Sequence, residues 1–277
     1  MVPQSRVLRP FLKWAGGKRR LLTQIRPFVP KQFDTYFEPF LGAGAVFFDL
    51  HSKRAVVNDL NAELINVYRV IQQDLEALLT DLTRHRNEKD YYYAVRDLDR
   101  CAAFPQLTPV QRASRILFLN KTCFNGLFRV NRHNEFNVPF GRYKNPKICN
   151  EVILRAVHQY LTSNDIRIYN DDFEAIALQA QAGDFVYFDP PYDPVSDTAS
   201  FTGYNINGFN REAQIRLKAV TDVLTARGCP VLLSNSATPF IRQLYREYKL
   251  VGMTANRTIN SNGKRRGEVH EVLIMNY

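Results

Sequence analysis

An apolar stretch, Phe185-Val186-Tyr187-Phe188, runs straight into Asp189-Pro190-Pro191-Tyr192. Consecutive prolines lack amide protons and cannot continue a strand or a helix, so the chain must turn rigidly here. The turn holds a carboxylate, Asp189, beside an aromatic face, Tyr192. That combination suits an exocyclic amino group. A carboxylate and a backbone carbonyl, here that of Pro190, accept its two N–H bonds, and the ring stacks on the base that carries it.

A second constellation is Glu38-Pro39-Phe40-Leu41-Gly42-Ala43-Gly44. Glycines let the backbone approach a ligand closely. The third glycine of a dinucleotide fingerprint is absent, since position 47 is Phe. Asp59 closes the next apolar stretch, where an acid accepts hydrogen bonds from ribose hydroxyls. Together these features suggest an adenosine-containing cofactor with no pyrophosphate to cradle, and S-adenosylmethionine fits. Glu38, Phe40 and, at the head of a later helix, Phe173 join the candidate cofactor-binding set. The third constellation is Phe11-Leu12-Lys13-Trp14-Ala15-Gly16-Gly17-Lys18, with the only Trp of the chain between two lysines. Trp14 can cover an adenine or a sulfonium through cation–π contact, and Lys18 can bind a carboxylate.

The elements that must carry these residues alternate. A short helix is expected over Lys18–Phe28, stopped by Pro27 and Pro30. A strand over Asp34–Phe40 leads through the glycine turn into a helix over Ala45–Leu50. A strand over Arg54–Val57 precedes a long helix capped by Asn61 and reaching about His85. Helices follow over Tyr91–Arg100 and Pro109–Leu119, then a polar, basic stretch, 120–149, that reads as loops or a hairpin. Strand Ile166–Tyr169, helix Phe173–Ala180, strand Phe185–Asp189, helix Arg211–Ala226, strand Val231–Ser234 and a late strand Val269–Asn276 complete the chain. Such alternation argues for an α/β fold with a largely parallel sheet and helices on both faces. Ligands then sit at the carboxyl ends of strands, where the motifs fall.

Composition narrows the classes. With 45% hydrophobic and 23% charged residues, the 277-residue chain is globular. No apolar run reaches membrane-spanning length, and the first residues hold no secretory apolar core, so a cytoplasmic protein is expected. Cys101, Cys123, Cys149 and Cys229 are far apart, with no CxxC pair, so neither a metal site nor a disulfide framework is expected. The net charge of +10 points to an anionic partner. Basic residues gather in three segments: Arg6 to Lys31; Lys121, Arg129, Arg132, Arg142, Lys144 and Lys147; and Arg257 with Lys264, Arg265 and Arg266. The second is interleaved with Phe124, Phe128, Phe136, Phe140 and Tyr143, a pattern that favours a nucleic-acid surface over plain solvated charge.

FLKWAGGK, EPFLGAG, NDLN (58–61), NKTCFNGLFRVN (120–131), FNVPFGRYKNP (136–146) and DPPY occur in this order. The chain closely resembles the Dam-type DNA adenine-N6 methyltransferases over nearly its whole length. The resemblance implies a Rossmann-like S-adenosylmethionine-dependent methyltransferase sheet with a helical target-recognition insertion. By this resemblance residues 1–61 and 150–277 are expected to form the catalytic domain and 62–149 the target-recognition domain, a helical bundle with a hairpin loop. It implies that Trp14, Lys18, Asp59 and Asp189 contact S-adenosylmethionine. It further implies that Phe124, Asn125, Leu127, Arg129, Pro139, Arg142 and Tyr143 read and invade double-stranded DNA, with Lys13 a further DNA contact. The family's aromatic at position 124 is often Tyr; Phe lacks the hydroxyl and keeps the wedge. The implied reaction is direct methyl transfer to a flipped-out adenine, with Asp189, Pro190 and Tyr192 as the acceptor site and GATC as the leading target, by a monomer without a metal. Cytosine-N4 methylation uses the same amino-group logic, but the acidic DPPY and the insert oppose it. Methylation of a protein glutamine amide lacks both the usual Asn-led motif and a reason for the basic insert. A non-catalytic DNA-binding regulator is opposed by the intact Asp189 and Tyr192.

Overall fold

The computed structural model describes residues 7–195, 209–256 and 268–277. The third basic segment, Arg257 and Lys264–Arg266, lies outside the described residues, as does Arg6. Where one helix is expected over Lys18–Phe28, the chain makes a 3-10 turn at Lys18–Arg20, α1 (Leu22–Ile25) and a second 3-10 turn at Arg26–Phe28. Pro27 sits inside this second turn and cannot donate an α-helical bond. β1 (Tyr36–Glu38), α2 (Ala45–Leu50) and β2 (Arg54–Asn58) follow as the alternation requires.

The long helix expected after Asn61 is two helices, α3 (Ala62–Gln73) and α4 (Leu75–Leu82). The Asn61 side chain caps α3 by accepting the Leu64 N–H at 2.9 Å. Asp74, with φ −132° and ψ 39°, breaks the run. Aspartate competes with its own helix for backbone hydrogen bonds, so it favours ends over interiors. The break lets Leu75, Leu78 and Leu82 bury themselves, in a helix that packs on α6. α5 (Lys89–Arg96) precedes α6 (Pro109–Thr122), which opens with a Thr108–Gln111 capping box and Pro109 in its first turn.

α7 (Glu151–Ser163) is a helix with no counterpart among the elements expected from sequence. Its signal is nonetheless present: Ile153, Leu154, Val157, Tyr160 and Leu161 recur at helical spacing and are buried. The chain then runs through β3 (Asp165–Tyr169), α8 (Phe173–Ala177), β4 (Phe185–Phe188), α9 (Arg211–Ala226), β5 (Val231–Ser236), α10 (Pro239–Leu244), β6 (Lys249–Asn256) and β7 (Glu268–Met275). α10 and β6 likewise have no counterpart among the expected elements.

Among the described residues, seven strands form one sheet in the order β3-β2-β1-β4-β5-β7-β6. The first five pair in parallel, and β7 runs antiparallel to both β5 and β6. This is the mixed α/β architecture of the Rossmann-like methyltransferases. Strand order reverses between β1 and β4, the switch point where a crevice opens at the carboxyl ends. Neighbouring residues feed opposite faces of the sheet. Tyr36, Phe185 and Tyr187 enter a core shared with α3, α6 and α7, while Phe37, Val186 and Phe188 enter one shared with α8 and α9. The first core extends without interruption to Phe128, Phe136 and Val138 of the basic loop. Among the described residues, no helix is long and apolar enough to cross a membrane.

Candidate active site and nucleic-acid surface

Asp189 stands just beyond the end of β4. One carboxylate oxygen is 2.7 Å from the Lys18 ammonium, and that ammonium lies 4.7 Å from the centre of the Tyr192 ring. The Lys18 Nζ also donates to the Gly16 carbonyl at 2.9 Å and is almost wholly buried. Burial pushes the Asp189 carboxyl above the usual range, and Lys18 pulls it back. Glu38 lies in the same cluster and is raised well above the carboxylate range, chiefly by burial. The Tyr36 hydroxyl donates to Glu38 at 2.7 Å. Lys18, Glu38 and the Asp189–Tyr192 corner, from three separate segments of the chain, thus converge.

The proline turn is held by residues that sequence reasoning does not single out. Gln214 on α9 donates to the Pro191 carbonyl at 2.9 Å and accepts from the Asn235 amide at 3.0 Å. Asn235 accepts the Asp193 N–H at 3.1 Å. The Thr238 hydroxyl donates to the Asp193 carboxylate at 2.7 Å, and Ser236 donates to the Asp193 carbonyl at 2.5 Å. Pro190 is buried in this frame. The Tyr192 hydroxyl donates to Glu271 on β7 at 2.8 Å. Asn235 has a visible signal, a polar side chain ending an apolar strand; Gln214 and Glu271 have none beyond polarity.

At the neighbouring strand ends, Asp59 accepts the Gly42 N–H at 2.8 Å and the Asn61 N–H at 2.9 Å. Its carboxylate therefore shapes the glycine turn. Gly42 has φ +50°, and a Cβ there would approach Trp14 to 3.1 Å. Trp14 stacks on Phe128 of the basic loop, with ring centres 4.6 Å apart. On the other face of the sheet, Phe40 stacks on Phe173 at 5.2 Å, and Phe209 meets both edge-on. An acid, a glycine turn, aromatic rings and a buried lysine around the switch point form a donor set that fits an adenosine-containing cofactor with a carboxylate. Cys229 is core: its Sγ donates to the Gln181 carbonyl at 3.1 Å, and burial raises the thiol.

The basic loop is a hairpin, with bridges Cys123–Phe140 and Val130–Phe136. Phe124 projects from it, 52% exposed, while its N–H donates to the Pro139 carbonyl at 2.8 Å. Asn125 and Arg142 both adopt left-handed backbone, at φ +58° and +54°. Leu127 is half-buried against the core. Arg129 is exposed and donates to the Asn137 side chain at 2.7 Å, which orients its guanidinium. Lys13 lies 5.8 Å from the centre of the Tyr143 ring. Asn120 joins this hairpin to the segment bearing Trp14 and Lys18. It accepts the Lys13 N–H at 2.9 Å and donates to the Lys13 and Gly126 carbonyls at 2.7 and 3.1 Å. Lys121, counted in the basic run, points inward instead. It donates to the Phe11 carbonyl at 2.5 Å, and burial lowers its ammonium to about 8. Among the described residues, no group of three or more His, Cys, Asp or Glu is arranged to hold a metal ion.

The chain matches the family model of the D12 class N6 adenine-specific DNA methyltransferases over residues 14–259. It belongs to this family. The chain is 45% identical over 272 residues to the type II methyltransferase M1.LlaDCHI of Lactococcus lactis subsp. cremoris, covering 98% of this chain and 96% of the relative. It is 42% identical to the type II methyltransferase M.MjaIII of Methanocaldococcus jannaschii, covering 98% and 99%. It is 35% identical to the DNA adenine methylase of Escherichia coli K12, covering 96% and 95%. The D12-class methyltransferase is therefore an enzyme of adenine-N6 chemistry on DNA, and the cytosine, glutamine and regulator readings fall away.

Proposed function

We propose that this D12-class methyltransferase transfers the methyl group of S-adenosylmethionine to N6 of an adenine flipped out of double-stranded DNA. The observation that carries the reading is the convergence of the Asp189 carboxylate and the Tyr192 ring on one nitrogen, the Lys18 ammonium. An acceptor and a stacking face built around a nitrogen are what an exocyclic amine requires. S-adenosylmethionine, when bound, supplies a methyl on a cationic sulfur for direct displacement. Trp14, Lys18, Glu38, Phe40, Asp59, Phe173 and Asp189 form its proposed site. Asp59 does so partly by holding the Gly42 turn, and Lys18 by offering a cation to the cofactor carboxylate once the base replaces it at Asp189.

Extrusion of a stacked adenine costs a few kcal/mol. The exposed Phe124 suits the gap it leaves, Tyr192 stacks on the base, and Asp189 with the Pro190 carbonyl accepts from N6 and aims its lone pair. Positioning and electrostatics then carry the catalysis. Lys13, Asn125, Leu127, Pro139, Arg142 and Tyr143 complete the proposed DNA surface, and Arg129 is the proposed guanine reader. Resemblance to Dam-type enzymes makes GATC the first target to test, and the type II names of two relatives favour a modification role.

Sequencing adenine methylation in a methylation-free host that expresses the gene tests both reaction and target. The expected result is N6-methyladenine confined to one motif, absent with Asp189→Ala although purified Asp189→Ala still binds duplex DNA. Near-normal turnover by Asp189→Ala would sink the proposed acceptor role.

A further inference from the structure

Glu271 is an acidic residue on β7, a strand paired on both sides, and lies opposite Ser236 of β5 and Met253 of β6. It is only 7% exposed. Burying a carboxylate costs several kcal/mol unless a partner compensates, so a carboxylate at such a position calls for a specific contact. The contact is the neutral phenol of Tyr192, whose hydroxyl donates to Oε2 at 2.8 Å. That bond anchors the ring at its far end and so removes the swing its side-chain torsions would allow. It also draws the hydroxyl proton toward a negative charge, which enriches the ring face in electron density. On that face a positively charged nitrogen already sits: Lys18 Nζ, 4.7 Å from the ring centre and 2.7 Å from Asp189. The seat between Asp189 and Tyr192 therefore accepts a cationic nitrogen.

We propose that Glu271 is a positioning residue of the acceptor site, which fixes the Tyr192 ring and tunes its face for an amine that gains positive charge. In the transfer, the N6 lone pair forms the new carbon–nitrogen bond as the carbon–sulfur bond breaks. Positive charge passes from sulfur to N6, and an N6 proton then leaves to water. A ring held by Glu271 faces the base throughout and favours the charged form of N6. The inference rests on the acceptor reading of Asp189 and Tyr192 given above.

The test compares Glu271→Leu, Glu271→Gln, Tyr192→Phe and the combined Tyr192→Phe/Glu271→Leu in the full chain. Steady-state rates are measured with S-adenosylmethionine and target duplex, alongside equilibrium fluorescence of a duplex carrying 2-aminopurine in place of the target adenine. Glu271→Leu and Tyr192→Phe are each expected to lower kcat about 10- to 100-fold, the range for a hydrogen bond to a charged group, with KM for DNA little changed. The combined variant should be no worse than either single one, because the same contact is lost once. Glu271→Gln, which keeps an acceptor without the charge, should recover part of kcat. The 2-aminopurine signal, which reports the surroundings of the extruded base, should shift in Glu271→Leu and return toward the original in Glu271→Gln. A folded Glu271→Leu with unchanged kcat and fluorescence overturns the inference, as do losses that multiply in the combined variant. If Glu271→Leu does not fold, Tyr192→Phe decides: unchanged kcat and fluorescence there overturn it equally. Turnover retained by Asp189→Ala removes the acceptor reading itself, and the inference with it.

Discussion

A carboxylate is expensive to bury, so the acids of this site are best understood through what each one holds. Asp189 is offset by the Lys18 ammonium, Glu38 by the Tyr36 hydroxyl, and Asp59 by two backbone N–H groups. Asp59 is the informative case. From sequence it reads as a ribose acceptor, and in the structure its oxygens pin the Gly42 turn, so the proposed ribose contact would share a carboxylate with the turn. Asp59→Ala is expected to weaken S-adenosylmethionine binding by about 1.5–3 kcal/mol, the worth of a charged hydrogen bond. Asp59→Asn, which keeps one acceptor oxygen, should lose less. Calorimetric titration of the folded variants checks both, and an unchanged affinity in Asp59→Ala removes the role.

At the scale of elements, α4 to α6 carry the hairpin, and their packing includes a neutral histidine. His85 stacks flat on Phe118 at 4.4 Å and is hydrogen-bonded to the Tyr91 and Ser114 hydroxyls at 2.9 and 3.0 Å. Burial lowers its value from 6.5 to about 4. Between these values the unfolded chain binds a proton that the folded chain refuses, so stability falls as pH drops through that window. His85→Gln keeps polar contacts but cannot titrate. Thermal midpoints measured from pH 7 down to about 4 should therefore fall less steeply in the variant than in the parent. Parallel curves would show that the histidine contributes nothing to acid sensitivity. Asn120 has a comparable importance for position: its one amide ties the hairpin to the segment of Lys13 and Trp14, so the proposed reading and cofactor surfaces share a joint.

For the whole molecule, the net charge of +10 predicts DNA binding that weakens with salt. The structure divides the lysines that composition alone treats alike. Lys13 is exposed beside Tyr143, and Lys121 is turned onto the Phe11 carbonyl. Lys13→Ala should reduce the slope of log affinity against log salt by about one, and Lys121→Met should leave it unchanged. Arg129→Ala should instead relax specificity at one base position by about 1–3 kcal/mol. Anisotropy titrations at several salt concentrations, over duplexes with single base changes, separate these outcomes; an altered slope in Lys121→Met would reject the inward assignment. The sequence by itself determined the main α/β alternation, the glycine turn and the rigid Asp189–Tyr192 corner, because periodicity, proline and glycine act locally, and its six ordered motifs carried the resemblance to the family; it left 120–149 open between loops and a hairpin. It underdetermined the break at Asp74, since an aspartate can cap one helix or ride on the surface of a longer one. Only the tertiary structure decided that Lys18 meets Asp189, Asn120 clasps Lys13, Gln214 holds the Pro191 carbonyl and Glu271 anchors Tyr192. Those pairs join segments distant in the chain. A side chain's type states which bonds it can make, and the order and packing of the strands and helices select the partner it meets.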